Sequence, residues 1–276
     1  MPLDIVERKL VMGSRVILSI VSASAILASV YSAVAADIIP EPPVVELPPV
    51  EKFGGWYLRG DIGYAKSYVD GVSYFQGPTM TGAFEVHDFD DSWMIGGGIG
   101  YQINDWFRVD WTANYYGEMD FTGSSAQNVV CVNVVAVGTC SYSDNGSFSA
   151  TTLLANAYFD LGNYQGFTPY VGFGIGGAYV NWGTLTNTEY EDANNANSWS
   201  DTHSGNSGWR FAYALHAGAS YDFSAHLKLD AGYTFTNITG GGMFGFGSTS
   251  GLVGTQGYND DIQIHAFKLG LRYQIW

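Results

Sequence analysis

At 276 residues with a formal net charge of −15, the chain carries only 13% charged residues, well below the ~25% of an ordinary soluble domain. Its 11 basic residues form no cluster, so nothing is present to grip a phosphate backbone and nucleic-acid binding is excluded. Aromatic residues at 16% and 36 glycines suit a β-structure half immersed in lipid better than a charged, water-facing surface.

The first element is an export signal. Lys9 and Arg15 make a positive start, an apolar run extends from Val16 to about Leu27, and Ala33-Val34-Ala35 supplies the small-residue cleavage pattern. The apolar run falls short of the ~20 residues that a spanning helix needs, which favours a cleaved signal over 1–35. Met12 offers an alternative start. Residues 36–53 form a spacer, in which Pro40, Pro42, Pro43, Pro48 and Pro49 remove backbone donors and favour extended polyproline geometry.

Over 54–276 the hydrophobic period changes to two. Eight segments alternate, and no run of 18 apolar residues interrupts them. In the first, Trp56, Leu58, Ile62 and Tyr64 oppose Tyr57, Arg59 and Asp61. In the second, Trp93, Ile95, Ile99, Tyr101 and Ile103 oppose Gly96, Gly98, Gly100 and Gln102. The third sets Phe107, Val109, Trp111 and Tyr115 against Arg108, Asp110, Thr112 and Asn114. The fourth sets Leu153, Ala155, Ala157, Phe159 and Leu161 against Asn156, Tyr158 and Asp160. The fifth opposes Val171, Phe173, Ile175 and Tyr179 to Gly172, Gly174 and Gly176. The sixth opposes Phe211, Tyr213, Leu215 and Tyr221 to Arg210, His216, Ser220 and Asp222. The last two oppose Leu227, Leu229, Tyr233 and Phe235 to Lys228, Asp230 and Thr234, then Phe267, Leu269, Leu271, Tyr273 and Ile275 to Lys268, Arg272 and Gln274.

Short connections at 104–105, 162–167 and 224–226 alternate with long polar ones at about 66–91, 117–147, 181–207 and 238–260. That alternation predicts an all-β fold, an eight-stranded antiparallel transmembrane β-barrel with three short periplasmic turns and four long external loops. Closure follows from the backbone, because an unpaired strand edge facing hydrocarbon costs several kcal/mol per group. The polar face then fills the lumen. Arg59, Arg108, Arg210, Lys228, Lys268 and Arg272 meet Asp61, Asp110, Asp160, Asp222 and Asp230, with His216 among them. Near-matched numbers predict paired networks that close the interior. The inward glycines leave room for those arms. Trp56, Tyr64, Trp93, Tyr101, Trp106, Tyr115, Tyr179, Tyr221 and Tyr273 lie near segment ends, as aromatic girdles at two headgroup levels would.

Cys131 and Cys140, an even pair inside one polar stretch of an exported chain, read as a disulfide closing a short loop. Gly172-Phe-Gly174-Ile-Gly176-Gly177 satisfies a dinucleotide-binding pattern, but its glycines recur at period two inside a strand and no helix follows. His87, His203, His216, His226 and His265 form no recognisable triad, so no catalytic residue, cofactor or metal is assigned. Glu85, Asp88, Asp90 and Asp91, then Glu189, Glu191 and Asp192, read as solvated loop faces. Weak Ca²⁺ or Mg²⁺ binding is the sharper alternative.

The spacer Pro42-Pro43-Val44-Val45, the run from Gly55-Trp56-Tyr57-Leu58-Arg59-Gly60-Asp61 to Tyr64, the run Phe173-Gly174-Ile175-Gly176-Gly177-Ala178 and the ending Lys268-Leu269-Gly270-Leu271-Arg272-Tyr273 resemble the small outer-membrane proteins of rhizobia and their pathogenic relatives. That family is similar in architecture to the transmembrane domain of OmpA. The resemblance implies an abundant, surface-exposed barrel inserted by the outer-membrane assembly machinery, in contact with lipid and lipopolysaccharide. It also implies a host or other surface ligand at the loops. Members are linked to envelope integrity, host interaction or haem binding, and none of those roles maps onto residues matched here. The outward phase ends at Ile275 and not at Trp276, an irregular form of the usual aromatic ending. The expected function is structural and surface-interacting without catalysis; a narrow solute channel and a lipid-modifying enzyme at the rim are the alternatives.

Overall fold

The computed structural model describes residues 54–76, 80–84, 86–135 and 137–275, and of these only the backbone at 76, 80, 81 and 86–88. The export signal, the proline-rich spacer, Glu85 and Trp276 lie outside the described residues, as do the side chains of His87 and Asp88.

Strands account for nearly all of it. In chain order they are β1 (Trp56–Asp70), β2 (Ser73–Gln76), β3 (Met80–Ala83), β4 (Val86–Phe89), β5 (Ser92–Asn104), β6 (Phe107–Ser124) and β7 (Val129–Val130). They continue with β8 (Thr139–Asp160), β9 (Phe167–Trp182), β10 (Leu185–Glu191), β11 (Asn194–Gly205), β12 (Ser207–Asp222), β13 (Leu227–Gly247) and β14 (Thr255–Gln274). The long ones pair antiparallel in sequence order, β1–β5–β6–β8–β9–β12–β13–β14, and β14 returns to β1 in register from Tyr57↔Gln274 to Asp70↔Asp261. The wall therefore closes on itself and leaves none of these strands with a bare edge. No helix among the described residues is long and apolar enough to cross a membrane.

The short turns need particular backbone shapes. Between β8 and β9, Gly166 sits at φ +93°, and its N–H donates to Asn163 Oδ1 at 2.9 Å. A side chain at 166 would oppose the left-handed geometry that this tight return requires.

The long connections correct the sequence reading. Among the described residues they are largely strand that continues the wall, except at 125–138, where β7 is the one strand. β1 runs on to Asp70, β13 to Gly247, and β14 starts at Thr255. The third connection folds as a hairpin, β10–β11, whose outer edges pair with β8 and β13. The first adds the β2–β3 hairpin against β14, and β4 lies against β6. Polar composition suggested loops because the alternation changes sign there. On β1, Ala65 and Val69 face inward while Lys66 and Asp70 face out; on β14, Ile262, Ile264 and Ala266 are buried while Asp261 and Gln263 are not. Below that level the outside is apolar and the inside charged. Above it the outside is polar and the inside apolar. The first pattern suits a wall in hydrocarbon around a polar lumen, and the second suits a wall in water around a dry one.

Candidate functional site

The lower interior is a connected polar layer. Arg59 donates to both carboxyl oxygens of Asp61, at 2.9 and 2.8 Å, and through Nη1 to Asp110 Oδ2 at 2.9 Å. Nη1 also reaches Tyr158 Oη at 3.1 Å, and Tyr57 donates to Asp110 Oδ2 at 3.1 Å. Asn156 Nδ2 satisfies the other oxygen of Asp110 at 2.7 Å. Because that amide nitrogen is the donor, Asn156 Oδ1 accepts from His216 Nε2 at 3.1 Å, which leaves His216 Nδ1 to accept from Thr234 at 3.0 Å. A neutral imidazole with its proton on Nε2 meets both partners.

Further pairs complete the layer. Arg108 Nε donates to Asp160 at 3.1 Å; Arg272 Nη2 donates to Asp230 at 3.1 Å and to Ser220 at 2.7 Å. Nη1 and Nη2 of Arg108 have no hydrogen-bond partner among the described residues, but the guanidinium lies between two rings, 4.4 Å from Tyr158 and 4.7 Å from Tyr170. Arg272 likewise stands 5.3 Å from the Tyr57 ring. Ring faces take the place of missing acceptors here. Tyr57, Tyr158 and Asn156 were legible on the inward face by parity, although nothing in the sequence marked them as partners. Tyr170 shares the inward parity of Gly172, but the sequence reading began that segment at Val171 and left it out.

The glycines make these contacts possible. On β9, a Cβ at Gly174 would lie 2.0 Å from Asn156 Oδ1, so the bond between Asn156 of β8 and His216 of β12 passes over a strand with no side chain at that point.

Near-matched numbers led to an expectation of paired networks, and Arg59, Arg108, Lys228 and Arg272 lie within ion-pair distance of carboxylates. Arg210 and Lys268 do not, among the described residues. Arg210 sits higher on the wall and donates to Asn259 Oδ1 at 2.8 Å and the Gly242 carbonyl at 2.7 Å. Lys268 is buried, yet no carboxylate lies within ion-pair distance of it among the described residues. Parity assigns a face and leaves height along the barrel undetermined. Lys228 and Asp222 do pair, but at the partly open lower rim, where a hollow of about 1060 Å³ is lined by Gln102, Asp160, Lys228 and Arg272.

Above the charges the interior is filled differently from the sequence expectation. Phe89, Phe121, Phe148, Trp182 and Phe244 pack ring on ring, with centroids 4.8–6.4 Å apart, beside Met119 and Met243. Most come from stretches read as polar loops.

On the outer surface the rings fall at two heights. Trp56 touches Tyr101 at one end of the apolar zone, in company with Trp106 beside Phe159, Tyr221 beside Phe167, and Tyr273 beside His226. Tyr64, Trp93 packed on Tyr115, and Tyr179 packed on Trp209 mark the other. Eight residues of β1 separate Trp56 from Tyr64, about 26 Å along the strand. Between the levels Ile62, Phe267 and Leu269 are each more than 60% exposed, and such a band suits acyl chains.

In the outer segments, Cys131 and Cys140 are joined as a disulfide. Glu189 corrects the sequence reading of a solvated acid: it is fully buried and accepts from the backbone N–H groups of Val132 and Asn133 at 2.6 and 3.0 Å. It lies close to both sulfurs, but these are consumed in their mutual bond, so the trio is a loop clamp and not a metal cage. Asp192 accepts from Ser141 at 2.7 Å, Glu191 from Asn197 at 2.6 Å, and Asp91 pairs with Lys66 at 3.6 Å. The remaining histidines are dispersed. His203 bonds the Gly245 carbonyl at 3.1 Å, and His265 meets the Tyr233 hydroxyl at 2.5 Å. The dinucleotide-like glycines lie wholly within β9.

A closed antiparallel wall with an apolar outer belt and a polar interior defines an integral outer-membrane β-barrel protein. The chain belongs to the family described as outer membrane protein beta-barrel domain, which matches residues 23–274. An uncharacterized protein of Brucella abortus (strain 2308) is 36% identical over 274 residues, covering 90% of this chain and 95% of its own. A candidate adhesin of Rickettsia bellii is 27% identical over 80% of this chain and 88% of its own. Outer membrane protein PagN of Salmonella typhimurium is 27% identical over 66% of this chain and 74% of its own. Among solved structures, Neisserial surface protein A matches 81% of this chain and 100% of its own at 15% identity, with a TM-score of 0.41. The protein resides in the bacterial outer membrane.

Proposed function

We propose that the chain folds, after loss of an export signal over 1–35, as an eight-stranded barrel. Its role is to join the outer membrane to external surfaces without catalysis or conduction. The observation that carries this reading is the doubly filled interior, in which the Arg59–Asp61–Asp110 layer lies below and the Phe121–Phe148–Trp182–Phe244 packing lies above. A solute channel would have to breach both. The hydroxyl–imidazole contact between Thr234 and His216 is buried in the lumen, away from the rim at which a lipid-modifying enzyme would work.

What projects outward is a raised β-structured crown, held by the disulfide and the Glu189 clamp, as a contact surface requires. A relative named as a candidate adhesin agrees with that use. The girdles and apolar belt would meet lipid and lipopolysaccharide, and assembly machinery would insert the barrel.

The test has two arms. Purified protein in planar bilayers should give no steady single-channel current, and large stable currents would overturn the closed lumen. Surface display should increase binding of the cell to host cells or matrix, and deletion of the β10–β11 hairpin should remove the increase. Equal binding with and without the displayed barrel would overturn the surface role.

A further inference from the structure

Above the aromatic packing lies a cavity of about 400 Å³, walled by residues from all four long connections. Phe84, Val129, Leu185 and Phe244 give it apolar sides. Two of its polar groups are acceptors in want of donors. Asp144, 1% exposed, receives Asn187 Nδ2 on Oδ1 at 2.6 Å with Ser125 alongside, while Oδ2 has no hydrogen-bond partner among the described residues. Gln256 spends its amide nitrogen on the Phe75 carbonyl at 2.7 Å, and its Oε1 is likewise unpartnered. His203, also on the cavity wall, donates from Nδ1 to the Gly245 carbonyl at 3.1 Å. The hydroxyl of Tyr74, which could have served them, donates to the Ser125 carbonyl at 2.9 Å.

Buried acceptors without donors are costly, and a native protein retains them where a ligand supplies the missing protons. Asp144 Oδ2 and Gln256 Oε1 are both left open by residues lining one cavity, and an ammonium group offers three N–H donors and a positive charge. We propose that this vestibule binds a small amphipathic amine, with its ammonium on Asp144 and Gln256 and its hydrocarbon body against Phe84, Leu185 and Phe244. The size of the cavity restricts the occupant to a free small molecule. Burial raises the pKa of Asp144, opposed by Asn187 and Ser125, and a bound cation would stabilise the ionised carboxylate. The inference deepens the surface-interaction reading by giving the crown a ligand class, and it rests on that reading only in placing the vestibule outside the cell.

The probe is 2-phenylethylammonium, titrated calorimetrically into the full mature chain in lipid nanodiscs, with empty nanodiscs subtracted. 3-Phenylpropionate, alike in size and opposite in charge, is the comparison. Saturable binding of the amine is expected, with none for the carboxylate, and Asp144→Asn should weaken it by about tenfold or more. Gln256→Leu, which leaves the carboxylate in place, should weaken it less and serves if the first variant does not fold. Equal binding of both probes, undiminished binding to Asp144→Asn, or no saturable heat beyond the lipid background would each overturn the proposal. Loss of amine binding with intact cell adhesion sinks the ligand class alone; loss of adhesion with intact amine binding sinks the surface role alone.

Discussion

Arg59 of β1 and Asp110 of β6 meet 2.9 Å apart although β5 runs between their strands. They can do so because β5 presents Gly98 opposite Arg59 and Gly100 opposite Asp110, so no side chain intervenes. β9 repeats the device with Gly174 between Asn156 and His216. Stripping one strand of its inward side chains joins its two neighbours.

Gly100→Ala tests this directly. A Cβ there would fall 2.3 Å from Tyr57 Cζ and 2.6 Å from Asp110 Cβ, and the Asp110 contact lies close to backbone that paired strands hold fixed. The expected loss is about 1–3 kcal/mol by overpacking, read from urea unfolding in lipid vesicles. Gly60→Ala, where nothing lies within 4 Å, should cost far less.

Arg59→Leu leaves Asp61 and Asp110 without their shared cation inside a buried layer. A destabilisation of about 3–5 kcal/mol is expected. Adding Asp110→Asn should recover part of it, whereas additive losses in the double variant would mean that the two groups act independently.

Asp201 gives the crown a pH dependence. Burial opposes its ionisation, but donation from Ser248, Thr249 and the Thr202 N–H outweighs burial and holds the carboxyl at about 2. Its folded value lies below the ~3.9 of an unfolded aspartate, so its stabilising contribution is complete above pH 4 and is lost as pH falls through 2. Asp144, raised by burial, has the opposite sign: its protonation relieves the fold as pH falls. The protection factors of the amides at 248–250 should fall between pH 4 and 2 in the parent chain, and in Asp201→Asn they should be low throughout.

Much of this was legible in the sequence, for a definite reason. Period-two alternation from Trp56 to Tyr64 and from Phe267 to Tyr273 assigns each side chain to a face, and the exposed rings and buried charges follow it. What parity does not carry is height. Val69, Met243 and Trp182 sit inside, in stretches that composition marked as polar, because the solvent outside the wall changes from lipid to water along the same strand. Nor does it carry partners. Glu189 lies 56–57 residues from the amides it accepts, so only folding reveals that it is buried.

Reduction of the Cys131–Cys140 bond should loosen the crown and spare the barrel. Closing so short a loop is worth about 2–3 kcal/mol in the chain-entropy account. Reductant should therefore expose 125–140 to protease, while the heat-modifiable gel mobility of the folded protein stays unchanged. A mobility change on reduction would show that the bond supports the barrel itself.

The reversal of polarity above Tyr64 has a consequence for reach. From Tyr64 to Asp70 the paired wall rises about 20 Å along the strand, so the vestibule stands clear of the acyl boundary on a stiff collar and not on loose tethers. The mouth is therefore carried at a height that the strand register sets, and an occupant would reach it without entering the apolar belt.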